Sequence, residues 1–388
     1  PSRCWRKHLG GLDMGLTNIR LGDYIERSTI NNKELKYGVD LIVGVNSQGV
    51  FTAPKGNTDG VDLKPYKIVE NGAFVYNPTR LELGSIAYRT EGLCIVSHLY
   101  MVFYLTDEGK KIIDPMWLYI YFRRSEFCRE VKFRNFGSQR PEFNFNDMSD
   151  IVIPLPDIEI QKKYVDIYNA MLENQKSYEY RLEDLKLACD AYIEDLKHGI
   201  HCKAIGPYVE RHDVRNRTNE IKNVMGVSTS KEFREPTSKV NRNELSNYKI
   251  VRPRQISFVQ TTHNEKVFAY AFNNTEDDIV VTSVNEVFSV DEDKLLPEYL
   301  CMFFNRTEFD RYARFHSWGS ARETFTWDDL VKVEIPIADM KTQKSIADIY
   351  KAYKERKAIN EKLKEQIKDI CPILIKGSIE EARKAKEA

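Results

Sequence analysis

The residues of this chain best suited to chemistry form a basic and aromatic cluster. Between Arg123 and Arg140 lie Arg123, Arg124, Arg129, Lys132, Arg134 and Arg140, against only Glu126 and Glu130, with Phe133 and Phe136 interleaved. Cations around a glycine turn, here Gly137-Ser138-Gln139-Arg140, suit contact with phosphate oxygens, which positions a nucleic acid without reading its sequence. A second such stretch carries Arg311, Arg314, His316, Trp318 and Arg322, with Gly319-Ser320-Ala321-Arg322 as its turn. The competing reading of both is a solvated helix end.

Nothing points to catalysis. Asn77-Pro78-Thr79-Arg80 lacks the second proline and the aromatic residue with which Asn-Pro-Pro-aromatic motifs hold a flipped base, and no glycine-rich cofactor loop follows a strand upstream. Glu34-Leu35-Lys36 and the Asp-x-Lys pairs at Asp184 and Asp195 match fragments of nuclease motifs, but the latter two fall in a helical stretch where charges form a solvated face. There is no Walker loop and no His-Glu-x-x-His, and the seven histidines lack ligand spacing. No catalytic residue, metal or cofactor of this chain's own is expected.

With 388 residues, the chain has the length of two domains at roughly 100–200 residues each. At 42% hydrophobic and 30% charged it has the composition of an ordinary globular protein. It contains no run of about 18 apolar residues, so no membrane span is expected. Seven cysteines without a Cys-x-x-Cys indicate neither a disulfide framework nor a zinc knuckle, and a reducing cytoplasm is the expected setting. The 58 basic and 58 acidic residues cancel, which argues against bulk electrostatic coating of nucleic acid; if the chain binds DNA, the positive charge must be local.

The chain repeats itself. Tyr66-Lys67-Ile68-Val69 recurs as Tyr248-Lys249-Ile250-Val251, an offset of 248 − 66 = 182. The same offset relates Glu126-Phe127 to Glu308-Phe309, the two Gly-Ser-x-Arg turns, Ile153-Pro154 to Ile335-Pro336, Gln161-Lys162 to Gln343-Lys344, and Cys189 to Cys371. With two residues of slack, Leu21-Gly22-Asp23-Tyr24 matches Ile205-Gly206-Pro207-Tyr208. Residues 28–65 and 212–247 show almost no likeness, which suggests two versions of one reading head.

The elements that must position these residues follow from periodicity. Short β-branched and aromatic runs at 73–76, 85–88, 93–97, 100–104, 279–282 and 286–290 read as strands, 115–127 as a short helix opened by proline, and 151–154 as a last strand. From Tyr168, the positions Met171, Gln175, Tyr178, Leu182, Leu185, Cys189, Tyr192 and Leu196 step by three and four. The second copy gives Ile346, Ile349, Tyr353, Arg356, Asn360, Leu363, Ile367, Ile370 and Leu374. Both read as coiled-coil seams, on helices of about 40 residues and about 60 Å. The simplest arrangement pairs them antiparallel, as a rod with a head at each end and an approximate two-fold axis. Cys189 and Cys371 read as small core residues.

Taken in order, the duplicated openings, the Gly-Ser-x-Arg turns and the Ile-Pro…Gln starts of the helices resemble the specificity (S, HsdS) subunit of prokaryotic type I restriction-modification systems, over residues 18 to about 376. The resemblance implies an α+β fold of two target-recognition domains with short-stranded sheets, separated by two long antiparallel helices. It implies double-stranded DNA as ligand, each domain reading one half of a split, asymmetric site. It implies two methyltransferase subunits docked on the helices, restriction subunits joining through the complex, and S-adenosylmethionine bound only by the methyltransferases.

On that resemblance the expected segments are 1–13, a tag or upstream sequence; 14–156, the first recognition domain; 157–202, the central helix; 203–338, the second domain; 339–377, the C-terminal helix; and 378–388, a charged tail. A turn shared by both copies cannot distinguish two sequences, so base readout is expected from what differs. The first head offers Asn77, Thr79, Arg80, Arg89 and His98. The second offers Gln260, Thr261, Thr262, His263 and Lys266, with Lys231, Arg234, Lys239 and Arg242 in its front part. Arg suits guanine and Asn or Gln suits adenine in the major groove. Lys132, Arg134, Arg140, Arg314, His316 and Arg322 are expected on phosphates. Met171, Tyr178, Leu182, Leu185, Tyr192, Tyr353, Leu363, Ile367, Ile370 and Leu374 are expected at the helix pairing. The competing functions are a stand-alone enzyme that modifies or cuts DNA, and a two-headed protein scaffold.

Overall fold

The computed structural model describes residues 16–54, 56–135, 142–261, 267–317 and 323–387. They fall into two compact units, one ending at Lys176 and completed by Glu361–Ala388, the other Ser177–Asn360.

Unit 1 is built on a four-stranded antiparallel sheet in the order Ile25–Ser28, Met101–Leu105, Phe74–Tyr76, Ile86–Tyr88. Three of its strands, Phe74–Tyr76, Ile86–Tyr88 and Met101–Leu105, are apolar on both faces because both are covered. Phe74, Tyr76 and Phe103 face the main core with Trp117 and Phe122, while Val75, Ala87 and Val102 face a smaller cluster with Val69 and Val96. Leu16–Arg20 pairs with Val152–Pro156, so the first strand of the unit meets its last. Lys67–Val69 pairs with Cys94–Val96.

Four short helices follow the sheet: α1 (Asp107–Ile112), α2 (Pro115–Phe122), α3 (Ser125–Arg134) and α4 (Phe145–Ser149). The single helix expected over 115–127 is thus two. Asp114 caps α2 by accepting from the amides of Met116 and Trp117, with proline at the first turn. Arg124 is extended, and the break brings the Phe122 and Phe127 rings to 4.9 Å in the core.

The long helix α5 (Ile158–Gly199) starts on a buried glutamine. The Gln161 side chain accepts from the Asp114 amide (2.8 Å) and donates to the carbonyls of Ile112 (2.8 Å) and Pro156 (2.7 Å), fixing the helix to the connection before α2.

Unit 2 repeats the design. Its sheet runs Val209–His212, Asn285–Val290, Ile256–Val259, Tyr270–Phe272, with helices α6 (Pro297–Phe304), α7 (Thr307–Phe315) and α8 (Trp327–Leu330). The last helix, α9 (Met340–Glu387), opens on the same device: Gln343 accepts from the Leu296 amide and donates to the carbonyls of Lys294 and Ala338. Asn144 with Asp147 in unit 1 and Thr326 with Asp329 in unit 2 form capping boxes 182 residues apart.

The front parts, expected to be unalike, share one backbone plan. Gly44–Val45 pairs with Phe51–Thr52, and Gly226–Val227 with Phe233–Arg234, again 182 residues on. Asn32 closes a loop by bonding the main chain of Tyr37 in both directions, and Asn216 does the same to Ile221.

Within each unit the two long helices run antiparallel, and their ends are part of the core. In unit 1, Val165 and Tyr168 of α5 pack with Ile367, Cys371, Leu374 and Ile375 of α9, flanked by Met171 and Ile370. Helix α9 continues through the segment expected as a tail, because that segment is buried: Ser378 accepts from the Trp117 indole (3.1 Å), Ala382 is fully covered, and Glu381 holds Lys163 and Tyr164. Tyr164 lies over Gly377, where a Cβ would sit 2.8 Å from its ring.

In unit 2, Cys189 and Ile193 pack with Ile346 and Tyr350, flanked by Leu196 and Tyr353, and the Arg356 guanidinium lies 5.5 Å from the Tyr178 ring centre. Leu182 and Leu185 are half-buried, as is Leu363 of unit 1. One seam position is corrected. Tyr192 is exposed and Ile193 takes its place in the core. A strict three-four alternation averages 3.5 residues per turn, the helix turns every 3.6, and after several turns the buried stripe has moved one residue along. Burial pushes the Cys189 and Cys371 thiols up to about 11, so both are neutral, as small core residues should be.

Candidate nucleic-acid interface

In unit 1 the chain brings together three of the expected groups. Asn77 follows a central strand and accepts from both the amide and the hydroxyl of Thr79. This closes a turn that leaves Thr79 and Arg80 exposed. Helix α3, which carries Lys132 and Arg134, packs on the single helical turn Leu81–Leu83 that follows. The Phe143 amide donates to the Pro78 carbonyl (3.0 Å), tying the turn to the chain just after 136–141. The polar turn and the cationic helix end are therefore neighbours. Lys132 is exposed, while Arg134 is paired along the helix with Glu130 (2.7 Å).

Two expected residues of unit 1 lie elsewhere. His98 is exposed in the turn Ser97–Tyr100, closed by the Tyr100 amide on the Ser97 carbonyl. Arg89 is half-buried, its guanidinium 5.3 Å from the Phe51 ring centre and one nitrogen donating to the Leu93 carbonyl, so it braces the hairpin rather than reaching out.

Unit 2 makes the corresponding junction. The Phe325 amide donates to the Gln260 carbonyl, and Thr261 bridges to Thr324. Asp310 of α7 accepts from the Phe268 amide (3.0 Å), anchoring the chain just after 262–266 to the helix that carries Arg311 and Arg314. The His316 ring rests 4.3 Å from that of Tyr312. Arg234 and Lys239 are exposed on the front part, and Arg242 lies 3.6 Å from Glu235. Arg140, Arg322, Thr262, His263 and Lys266 lie outside the described residues, as do the two Gly-Ser-x-Arg turns and residues 1–13.

Lys231 is a correction. It is 8% exposed, and its ammonium is held by Asp310 (2.8 Å) and the Phe304 carbonyl (2.7 Å), so it cannot reach a ligand. Burial lowers its pKa despite the partner carboxylate.

The most telling contrast lies in residues that sequence reasoning passed over. Arg27 and Lys67 in unit 1 correspond to Arg211 and Lys249 in unit 2. Strand register sets Met101 of unit 1 opposite Tyr76, and Glu286 of unit 2 opposite Phe258, at equivalent points of the two sheets. In unit 2, Glu286 is buried and receives two hydrogen bonds from Arg211 (2.8 and 2.7 Å) and one from Gln260. Lys249 lies between Glu286 (3.6 Å) and Asp213 (3.4 Å). The cations are neutralised.

In unit 1 the carboxylate is replaced by Met101. Neither Arg27 nor Lys67 has an ion-pair partner among the described residues, and the Lys67 ammonium bonds the Tyr100 carbonyl. The buried Tyr76 hydroxyl has no hydrogen-bond partner among the described residues. Burial, and then the charge of Arg27, hold the Lys67 ammonium below its usual pKa. The clue was in the sequence: both lysines belong to the repeated Tyr-Lys-Ile-Val, which served only as a marker of the repeat.

Among the described residues no group of three or more His, Cys, Asp or Glu could hold a metal ion, and no helix is long and apolar enough to cross a membrane.

Two copies of one α+β unit, each joining a polar turn to a cationic helix end, define a duplicated recognition module. Residues 16–183 and 207–369 each match the type I restriction modification DNA specificity domain, and the chain belongs to that family. Its fold is similar to that of the type I restriction-modification S subunit from M. genitalium, at 11% identity, with 95% of this chain and 97% of that one covered and a TM-score of 0.60. The HsdS subunit from Thermoanaerobacter tengcongensis also matches, at 15% identity over 94% of this chain and 96% of that one, with a TM-score of 0.39. No curated protein matches the chain.

Proposed function

We propose that this chain is the non-catalytic specificity subunit of a cytoplasmic type I restriction-modification complex, and that its two units read different halves of a bipartite DNA target. The paired helices α5 and α9 set the gap between the halves and dock two methyltransferase subunits, which bind S-adenosylmethionine, and restriction subunits join through the complex. The observation that carries this reading is one scaffold present twice with different chemistry at equivalent points. Arg27, Lys67 and Met101 in one unit stand where Arg211, Lys249 and Glu286 stand in the repeat of the other. A shared fold explains shared DNA engagement, and unlike polar groups explain unlike sequences.

The test is methylome sequencing of cells that express the system with its methyltransferase partner, together with binding of the assembled complex to duplexes. Two unlike methylated half-sites at a fixed spacing are expected. Robust turnover on DNA by the purified chain alone, or association with DNA that is indifferent to salt, overturns the reading.

A further inference from the structure

Among the exposed apolar side chains, Phe133 and Phe315 stand out at 82% and 81% exposure. They occupy the same place in the repeat, 315 − 133 = 182 residues apart, at the C-terminal ends of α3 and α7. The helix register makes their exposure obligatory. Phe127 and Val131 of α3 are buried, as are Phe309 and Ala313 of α7. A residue two positions beyond Val131 or Ala313 lies on the opposite face, at about 100° per residue. A charge precedes each ring: Lys132 and Arg314 are exposed, with no ion-pair partner among the described residues. Arg134 and His316 follow them. An apolar ring beside an exposed cation, present in both units although their reading chemistry differs, matches a ligand that pairs phosphates with stackable bases in every sequence.

We propose that Phe133 and Phe315 are DNA wedges, one per half-site, each ring stacking on a base at a step that it opens while Lys132 or Arg314 holds the flanking phosphate. This rests on the reading of the chain as a DNA-specificity subunit. A wedge is indifferent to base identity, since every base has a π face, so the same residue serves two units that read unlike sequences.

The test uses the complex of this chain with its methyltransferase subunits on a duplex bearing its own target. 2-Aminopurine is placed in turn at each base of the half-sites other than the methylated one. The wild-type complex is expected to raise fluorescence at one step in each half-site. F133A abolishes the rise in the half read by unit 1 and F315A in the other, each with an affinity loss of about 5- to 100-fold, and F133W restores it. Both variants should co-elute with the methyltransferase subunits like wild type. Unchanged affinity and fluorescence in F133A and F315A refutes the wedge while leaving the specificity role intact. Loss of co-elution in either variant also refutes it, by making the ring a docking point for protein. A wild-type complex without selectivity for any duplex removes the specificity reading and the wedge together.

Discussion

Glu286→Met gives unit 2 the apolar residue that unit 1 carries at the equivalent position. The carboxylate is 4% exposed and accepts three hydrogen bonds, two from Arg211 and one from Gln260, with Lys249 close by. Removing one partner of a buried ion pair costs about 3–5 kcal/mol. The low end applies here, because Lys249 keeps Asp213 and the half-exposed Arg211 regains water. About 3 kcal/mol lowers the melting temperature of a unit this size by about 6–12 °C, readable by scanning calorimetry. Freeing Arg211 also adds one cation able to meet a phosphate, so the logarithmic salt slope of DNA binding by the assembled complex should steepen by about 0.9. The reciprocal Met101→Glu should draw Arg27 and Lys67 inward and flatten the slope by about 0.9–1.8, corresponding to one or two lost phosphate contacts. A Glu286→Met protein that melts like wild type with an unchanged slope refutes the idea that this carboxylate sets the charge of the second unit.

Other perturbations separate the roles of scaffold and surface. Gln161→Leu strands the Asp114 amide and two carbonyls, three bonds worth about 1 kcal/mol each, and should lower stability by about 3 kcal/mol, with Gln343→Leu doing the same in unit 2; faster hydrogen exchange at the Asp114 or Leu296 amide checks it. Deleting 378–388 removes the Trp117 partner and buried Ala382, so unit 1 should melt lower in calorimetry, where loss of a solvated tail would leave it unchanged. Arg80→Ala should weaken reading of one half-site without disturbing assembly, whereas Leu182→Asp should reduce helix pairing and co-elution with methyltransferase subunits, both measurable on one sizing column and one binding titration.

Much of this structure was legible because its determinants are local. Strand runs and the Pro115 helix start depend on near neighbours, whereas the glutamines that open α5 and α9 showed in the sequence only as marks of the repeat, because their bonds reach back to Asp114 and Leu296. Others depend on three-dimensional partners. Lys231 sits in an exposed-looking polar stretch, and only the approach of α7 reveals Asp310 waiting for it. The residues after Gly377 look like a tail until Trp117 is placed beside Ser378.

The same logic explains why the front parts seemed unrelated. The hairpin turn needs one residue in the left-handed conformation, which Gly49 supplies in unit 1 (φ 74°) and Lys231 in unit 2 (φ 63°). In unit 1 the charge that fastens the turn comes from the far side: Arg123, at the end of α2, donates to the carbonyls of Ser47 and Gly84 and packs so closely that a Cβ on Gly49 would sit 2.7 Å from its guanidinium. In unit 2 the residue at the place of Arg123 is Asn305, and Lys231 reaches outward from the turn to the Phe304 carbonyl and Asp310. The cation crosses the same junction in opposite directions. A residue-by-residue match scores Gly against Lys and Arg against Asn as two differences, although together they preserve one contact. Lysine tolerates the left-handed turn at a cost of about 1–2 kcal/mol, which its two buried bonds offset. The front parts thus diverged in residue identity while the junction that fixes them to the helices stayed, which is what a scaffold needs if its exposed positions are to change without moving.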